Sequence, residues 1–179
     1  MDLQELDKLR FPIGKFAKPD TITNDLISSY INTIGNFPSK IKNEVAKLSD
    51  DQLNTPYRPD GWTVRQLVHH CADSHINAFV RFKLALTEEG PTIKPYMEDK
   101  WAQMNDYKEP IDSSLKILEG LHYRWSVLLK SMSDADFNRT YIHPEQGKSF
   151  ELRTVLALYD WHSKHHLAHI TELKKRMGW

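Results

Sequence analysis

Apolar residues recur at helical spacing over four long segments of the chain, separated by stretches rich in proline, glycine and aspartate. Each segment is long enough to form a helix of a folded domain and is bounded by residues that begin or end helices. The four segments are residues 22–48, 63–87, 112–132 and 152–177. The pattern predicts an all-α fold, with the long helices packed as a four-helix bundle.

Weaker signals lie outside the four segments. Residues 1–21 contain prolines and a glycine without a clean period, which predicts an extended arm on the surface of a single domain spanning residues 1–179. A short helical turn is expected within residues 99–107, and short apolar pairs within residues 140–152 predict a small hairpin. Pro38 interrupts the first segment, which is therefore either one kinked helix or two helices.

One short pattern occurs twice. LSDDQLN (residues 48–54) and MSDADFN (residues 132–138) each follow a long helix and precede a tyrosine-containing loop and a histidine-bearing helix. Chance similarity between two helix-capping turns is one explanation, since Ser and Asp commonly begin helices. The alternative is a pair of related helical hairpins, which predicts an up-down bundle.

Composition narrows the class of protein. Lys plus Arg and Asp plus Glu are equal at 24 each among 179 residues, so the chain lacks the basic excess typical of nucleic-acid binding. No apolar run approaches the ~20 residues of a membrane span, and the charged N-terminus does not resemble a signal peptide. The only cysteine, Cys71, permits no intrachain disulfide. These features predict a cytoplasmic protein that binds neither nucleic acid nor membrane.

Four of the nine histidines fall within WHSKHHLAH, residues 161–169. His162 and His166 form one i, i+4 pair, and His165 and His169 form another, so each pair lies on one helix face. The apolar stripe of this helix favours His162 and His166 as the inward pair, by a margin of roughly 20° that lies within helix scatter. Imidazole pairs at this spacing are typical of metal sites, whereas the alternative is ordinary hydrogen-bonded histidines.

A third ligand would have to come from elsewhere in the chain, and the second long helix offers VHHCADSH, residues 68–75. His75 lies in the middle of that helix's apolar face, His70 lies at its edge, and His69 is expected to point away. The helix face alone therefore leaves His70 and His75 as open alternatives. His70 also heads a polar stripe that continues through Asp73 and Arg81, and such a stripe faces either solvent or a pocket in a bundle.

Other reactive side chains are predicted to be structural. His122 should face inward on the third long helix, and His143 should lie in a loop before a proline. Asp160 adjoins the histidine cluster in sequence but falls on the polar side of its helix. Cys71 is expected to be a small buried apolar residue.

Several stretches carry a family resemblance. DGWTVRQLVHHCADSHINAFVRFKLALTEE (residues 60–89), LYDWHSKHHLAHITELKKRMGW (158–179), FPIGKF (11–16) and DQLNTPYR (51–58) together resemble the YfiT branch of the DinB/YfiT superfamily over nearly the whole chain. The resemblance implies a metal-dependent hydrolase that forms a homodimer. It also implies an up-down-down-up bundle, for which residues 90–110 are long enough to form the crossover.

The resemblance further implies that His70, His162 and His166 hold one divalent metal ion, with Zn²⁺ as the first expectation and Ni²⁺ as the second. Zinc with three protein ligands binds water at its fourth position and lowers the pKa of that water toward ~7. The same ion can instead bind a thiol as a thiolate. The ligands alone do not decide between these two chemistries. The resemblance implies a hydrolase of a small molecule, with a bacillithiol-transferase-like S-transferase as the alternative. A non-enzymatic helical dimer that only stores a metal is a third interpretation.

The remaining candidates near the site have less defined roles. No HExxH motif is present, so the sequence indicates no general base. Asp73 and Arg81 are candidates for contacts beside the metal or the substrate. His165 and His169 are expected either beside the site or at the surface.

Overall fold

The computed structural model describes residues 2–179 and is mostly helical. In chain order its helices are α1 (Leu3–Arg10), α2 (Asn24–Val45), α3 (Asp50–Leu53), α4 (Val64–Thr87), α5 (Glu98–Trp101), a 3₁₀ helix (Asn105–Lys108), α6 (Asp112–Ser131), α7 (Asp134–Phe137) and α8 (Leu152–Met177). Strands β1 (Thr140–His143) and β2 (Lys148–Glu151) form an antiparallel hairpin. Within residues 2–179, none of the helices combines the length and the apolar character that crossing a bilayer requires.

The four long helices and the hairpin confirm the predicted fold class. α4 begins after Thr63, whose side chain accepts a hydrogen bond from the Gln66 amide in a capping box. α8 ends at Gly178, which adopts the left-handed conformation at φ 71°. α2 continues through Pro38 as one helix, so the alternative of two helices is wrong.

The predicted extended arm requires a correction, because its residues 3–10 form the helix α1. Asp2 and Glu5 make a capping box at the start of this helix, and Lys8 and Arg10 lie in its last turn. These charges complement the helix dipole at both ends and stabilise a short helix whose eight residues are mostly polar. The arm then reaches α8, where the indole nitrogen of Trp161 donates a hydrogen bond to the Gly14 carbonyl at 3.1 Å.

The repeated heptapeptide pattern has a common structure. Ser49 caps α3 and Ser133 caps α7, each through a capping box with the residue three positions later. Both short helices follow a long helix and lead toward another long helix that carries histidines. The two halves of the chain are therefore locally alike, although their long helices are not arranged as two simple hairpins.

Contacts between the long helices establish their directions. α4 and α6 run parallel, because His69 contacts Ser114 near their starts and Phe82 contacts Trp125 further along both. α4 and α8 run antiparallel, since His70 packs on His166 whereas Ser74 contacts Tyr159. The first halves of α2 and α8 share one apolar cluster and their second halves share another, which makes these two helices parallel. The bundle is up-down-down-up, and the simpler up-down arrangement is wrong.

The core consists of two apolar clusters with a layer of histidines between them. Trp125, Phe82 and Leu156 lie in the first cluster, and Leu67 and Ile170 lie in the second. The histidine layer lies between these clusters on three helices and consists of His70, His75, His122, His162 and His166. Burying polar rings in the middle of a bundle is unfavourable unless their nitrogens have hydrogen-bond partners or bind an ion. The contacts of each ring nitrogen therefore indicate the role of each histidine.

Candidate metal centre

Two helices bring together the three histidines that the resemblance singled out. α4 presents His70, and α8 presents His162 and His166 one turn apart. One ring nitrogen from each residue lies within 4.8 Å of the other two. The Nε2 atoms of His162 and His166 are 3.1 Å apart. His70 and His166 are buried and His162 is half-buried, so the three nitrogens converge at the edge of the core.

This donor set fits a divalent ion. Zn–N bonds of about 2.0–2.1 Å at tetrahedral angles place ligand nitrogens about 3.3 Å apart, close to the spacing of His162 and His166. Burial lowers the pKa of His70 to about 3. Burial first, and the neighbouring histidines second, hold the pKa values of His162 and His166 well below the ordinary value. All three rings are therefore neutral at physiological pH, which is the form that binds first-row metal ions.

A chain of hydrogen bonds leads from His162 into the core. The Nδ1 atom of His162 lies 3.1 Å from Nε2 of His75. The Nδ1 atom of His75 lies 2.7 Å from Nε2 of His122. The Nδ1 atom of His122 lies 2.6 Å from the carbonyl oxygen of Ile34 on α2. His122 thus faces inward, as predicted. His75 is not one of the three converging histidines, but it bonds to one of them, His162.

His165 and His169 are buried rather than at the surface. Their Nε2 atoms are 3.0 Å apart, so the second i, i+4 pair bonds to itself. The ring of His165 stacks on Trp161 at a centroid distance of 4.4 Å, and the ring of His169 stacks on Tyr57 at 4.0 Å. The pair lies beside the three converging histidines and has its own aromatic cover.

Three further predictions from helix faces and loops are wrong. His69 does not point away, since it is buried with Nδ1 2.7 Å from the Ser114 hydroxyl of the parallel helix α6. Asp160 is buried as well, and its carboxylate accepts a hydrogen bond from Lys164 at 2.7 Å. His143 is the last residue of β1 rather than part of a loop. Cys71 is buried as expected, and burial raises the pKa of its thiol.

Two cavities meet at the histidines. The first, called the triad cavity, has a volume of about 310 Å³ and is bordered by His70, His162 and His166. The second, called the side cavity, has a volume of about 620 Å³ and touches His162 alone among the three. Glu98 and Asp99 line both cavities. The segment that begins α5 therefore lies between a candidate ion site and a space of the size that a small molecule occupies.

Asp73 and Arg81 lie in different environments. The Asp73 carboxylate accepts a hydrogen bond from the Tyr107 hydroxyl at 2.6 Å, and Asp73 lines neither cavity. Arg81 lines the side cavity, and its guanidinium lies 3.5 Å from the Lys94 carbonyl oxygen. A role beside the substrate thus stays a prediction that geometry favours for Arg81 more than for Asp73.

The structure adds acidic and aromatic residues that sequence reasoning missed. Glu98 and Asp99 come from the crossover, where the sequence indicated only a helical turn. Trp62 packs on His70 with ring centroids 4.4 Å apart, and Tyr57 and Arg58 line the triad cavity. The available signal was the Glu98-Asp99 pair, which stands among other charged and polar residues between Pro95 and Pro110 and is therefore weak without the fold.

Residues 39–170 match the DinB superfamily. A Bacillus mycoides protein named "Putative metal-dependent hydrolase" is 50% identical over 171 residues, which cover 96% of this chain and 98% of the relative. An Oceanobacillus iheyensis protein of the same name is 51% identical over 170 residues, covering 95% and 98% of the two chains.

The fold has a close counterpart among solved structures. YfiT from Bacillus subtilis matches with a TM-score of 0.94 at 46% identity, over 96% of this chain and 99% of that one. It is described as "a probable metal-dependent hydrolase with an unusual four-helix bundle topology". The chain belongs to the DinB superfamily, in the branch that YfiT represents.

Proposed function

We propose that the protein is a metal-dependent hydrolase of a small molecule, with its ion held by His70, His162 and His166. The observation that carries the proposal is the convergence of three neutral ring nitrogens within 4.8 Å at the border of a cavity. The names of its relatives support the same class of activity.

Each part of the site would have a defined task. The three imidazoles carry no charge, so they would leave a divalent ion its full charge and an open position. When bound there, such an ion supplies a Lewis acid that activates water or a thiol at neutral pH. Trp62 packs on the ring of His70, and Trp161 borders the triad cavity, so aromatic side chains form part of the wall of the site.

Glu98 is the proposed proton acceptor. Much of the Glu98 residue is exposed to solvent. Desolvation of its carboxyl group by the surrounding protein nevertheless raises the pKa of that group, and the charge of Asp99 raises the pKa further. A carboxylate with a raised pKa takes up a proton more readily near neutral pH. The position of Glu98 along both cavities would let it serve a reaction beside the histidines.

A second candidate function is S-transfer from a low-molecular-weight thiol. The observation that favours it is the side cavity, which touches His162 and is lined by charged residues of both signs: Arg81 and Lys100, and Glu98, Asp99 and Glu145. A thiol that carries both acidic and basic groups would find counter-charges there while its sulfur faces the histidines. Both candidates use the same three ligands and differ in what occupies the side cavity.

Three accompanying expectations are part of the proposal. Zinc is the first expectation for the ion and nickel the second, because imidazole binds both. The homodimer implied by the resemblance is checked by light scattering on the purified protein. A cytoplasmic location is checked by cell fractionation.

An assay of the metal-loaded protein tests the proposed function. Activated esters and alkylating electrophiles are supplied with and without a low-molecular-weight thiol, and product and thiol are both quantified. Hydrolysis is expected without thiol and is expected to disappear in His166→Ala. Consumption of thiol with matching conjugate formation would instead assign the second candidate.

A further inference from the structure

One ligand of the proposed site differs from the other two in what lies behind it. The Nδ1 atoms of His70 and His166 are buried and have no hydrogen-bond partner within residues 2–179. The Nδ1 atom of His162 bonds instead to His75, which bonds to His122, which bonds to the Ile34 carbonyl. His75 and His122 are both fully buried. We call the hydrogen-bonded series of His162, His75, His122 and the Ile34 carbonyl the histidine relay.

The carbonyl at the end of the relay sets its direction. A carbonyl oxygen only accepts, so Nδ1 of His122 must carry the hydrogen. A neutral ring has one N–H, so Nε2 of His122 accepts from Nδ1 of His75. By the same reasoning, Nε2 of His75 accepts from Nδ1 of His162. The Nε2 atom of His162 is then left with a free lone pair, on the side that faces His166.

The surroundings of the relay favour neutral rings. His75 packs between Phe37 and Trp125, with ring centroids at 5.1 and 6.0 Å, and against Tyr159 at 5.3 Å. Among residues 2–179, no carboxylate accepts a hydrogen bond from any ring of the relay. An extra proton would therefore be a buried charge without a counter-charge, which is strongly unfavourable.

We propose that His75 and His122 are positioning residues that fix His162 in its Nδ1–H form and so aim the lone pair of its Nε2 atom at the metal site. The inference rests on the proposed function in so far as His162 is a ligand. Metal-binding histidines commonly donate their other N–H to a carboxylate or a carbonyl, which orients the ring. Here two further imidazoles, His75 and His122, connect His162 to the Ile34 carbonyl and so provide that restraint.

Nitrogen-15 NMR of the full-length, metal-free protein tests the relay without any activity measurement. Neutral histidine in water favours the Nε2–H tautomer, so the relay predicts the opposite of the free amino acid. His75, His122 and His162 are each expected as Nδ1–H tautomers. An Nε2–H tautomer at His75 or at His162 would overturn the proposal.

Zinc affinity of two His75 variants tests the purpose of the relay. In His75→Gln the side-chain oxygen can accept from His162 and the amide N–H can donate to His122, whereas His75→Leu fills similar space without hydrogen bonds. Loss of such outer partners typically costs 10–100-fold in metal affinity. We expect a loss of that size in His75→Leu and substantial rescue in His75→Gln, measured by competition with a chromophoric chelator.

His69→Leu is the matched control. His69 is also a buried histidine of α4 that bonds to α6, but its two ring nitrogens contact Ser114 and the Glu109 carbonyl rather than a histidine of the relay. The His69→Leu variant should have a lower unfolding temperature than the native protein, without a comparable loss of zinc affinity. Equal affinity of His75→Leu and the native protein would overturn the proposal, as would equal losses in His75→Leu and His75→Gln. If His75→Leu does not fold, the tautomers and His75→Gln decide.

The outcomes separate the relay from the proposed function. If the native protein binds no metal, the proposed function fails whatever the tautomers are, and the positioning role fails with it. If the native protein binds one zinc ion and the relay tautomers are reversed, only the relay is wrong.

Discussion

The buried histidines of this protein differ in what their second ring nitrogen contacts, and that difference separates their roles. His69 bonds across to α6, His165 and His169 bond to each other, and His75 bonds on both sides. Those rings are engaged within the protein. One ring nitrogen from each of His70, His162 and His166 converges instead on a shared point beside a cavity, and the other nitrogen of His162 bonds to His75.

The proposed proton acceptor gives a prediction for single residues. Glu98→Gln removes the basic carboxylate and keeps the size of the side chain, so turnover is expected to fall by about 10²–10⁴-fold, the range typical of general acid–base groups. Metal content should not change, because Glu98 is not among the converging donors. Steady-state kinetics with a substrate found in the electrophile assay measures the effect.

Glu145→Gln is the control for that prediction. Glu145 lines the side cavity but does not line the triad cavity. Its variant should keep kcat close to that of the native protein. Native turnover in Glu98→Gln would remove Glu98 from the proposed chemistry.

Helix periodicity identified the converging histidines of α8 but did not identify the converging histidine of α4. Spacing and the apolar stripe favoured His162 and His166, and both converge in the structure. On α4, the middle of the apolar face pointed to His75, because a helix wheel marks only the direction of the core. His70, at the edge of that face, borders the cavity, and distinguishing the two required knowing which neighbouring helix lies on each side.

The burial of His165 and His169 had a different cause that the wheel could not show. Phe11 of the arm lies 6.1 Å from the ring of His165, and Tyr57 of a loop stacks on His169. Both covering residues come from outside the four long helices. A wheel describes one helix against a generic core and contains no information on such additional cover.

At the level of elements, α4 is held at its start by a reciprocal cap. The backbone amide of Gln66 donates to the Thr63 hydroxyl at 3.1 Å, and the backbone amide of Thr63 donates to the Gln66 side-chain oxygen at 2.9 Å. The side-chain nitrogen of Gln66 donates to the backbone carbonyl of Ala102. The cap thus connects the helix that carries His70 to the crossover that carries Glu98.

Loss of this cap should weaken the fold by a measurable amount. Thr63→Ala is expected to lower the free energy of unfolding by about 1 kcal/mol, since the partly buried Gln66 amide at the helix start loses its acceptor. Thr63→Ser keeps the hydroxyl and should lose much less. Urea denaturation of both variants measures the difference, and equal stability of Thr63→Ala and Thr63→Ser would contradict the capping role.

The order of the helices could not be predicted from periodicity. Four amphipathic helices show the same apolar stripes in an up-down bundle and in an up-down-down-up bundle. The relevant signal was the length of the segment between α4 and α6, because parallel neighbours need a long crossover. The arm helix α1 was missed for a different reason, since its eight residues are mostly polar and its caps and terminal charges stabilise it.

On the scale of the whole molecule, the histidine layer couples stability to pH. Burial lowers the pKa to about 4 for His122 and His165 and to about 3 for His70 and His169. For His169 the charges of His165 and nearby arginines add to the effect. In the unfolded chain each of these histidines would have a pKa of about 6.5. At pH values between the folded and the unfolded pKa, the unfolded chain binds protons that the folded protein does not.

The metal-free protein should therefore lose stability as the pH falls from about 6.5 toward 4, and should show little change from this source above pH 7. Each histidine of this kind contributes a slope of about 1.4 kcal/mol per pH unit within its window. Urea denaturation at pH 7, 6 and 5 measures the trend. A constant unfolding free energy from pH 7 to pH 5 would show that the histidine layer is not held neutral.

Three of the nine histidines, His70, His162 and His166, are proposed to hold one divalent ion. Metal content by inductively coupled plasma mass spectrometry, after loading with zinc and exhaustive desalting, tests this proposal most directly. The native protein and His165→Ala are predicted to retain about one ion per chain, the stoichiometry of a single site. His70→Ala, His162→Ala and His166→Ala should each lose it. Full metal content in His70→Ala or His166→Ala, together with loss in His75→Ala or His165→Ala, would contradict the account.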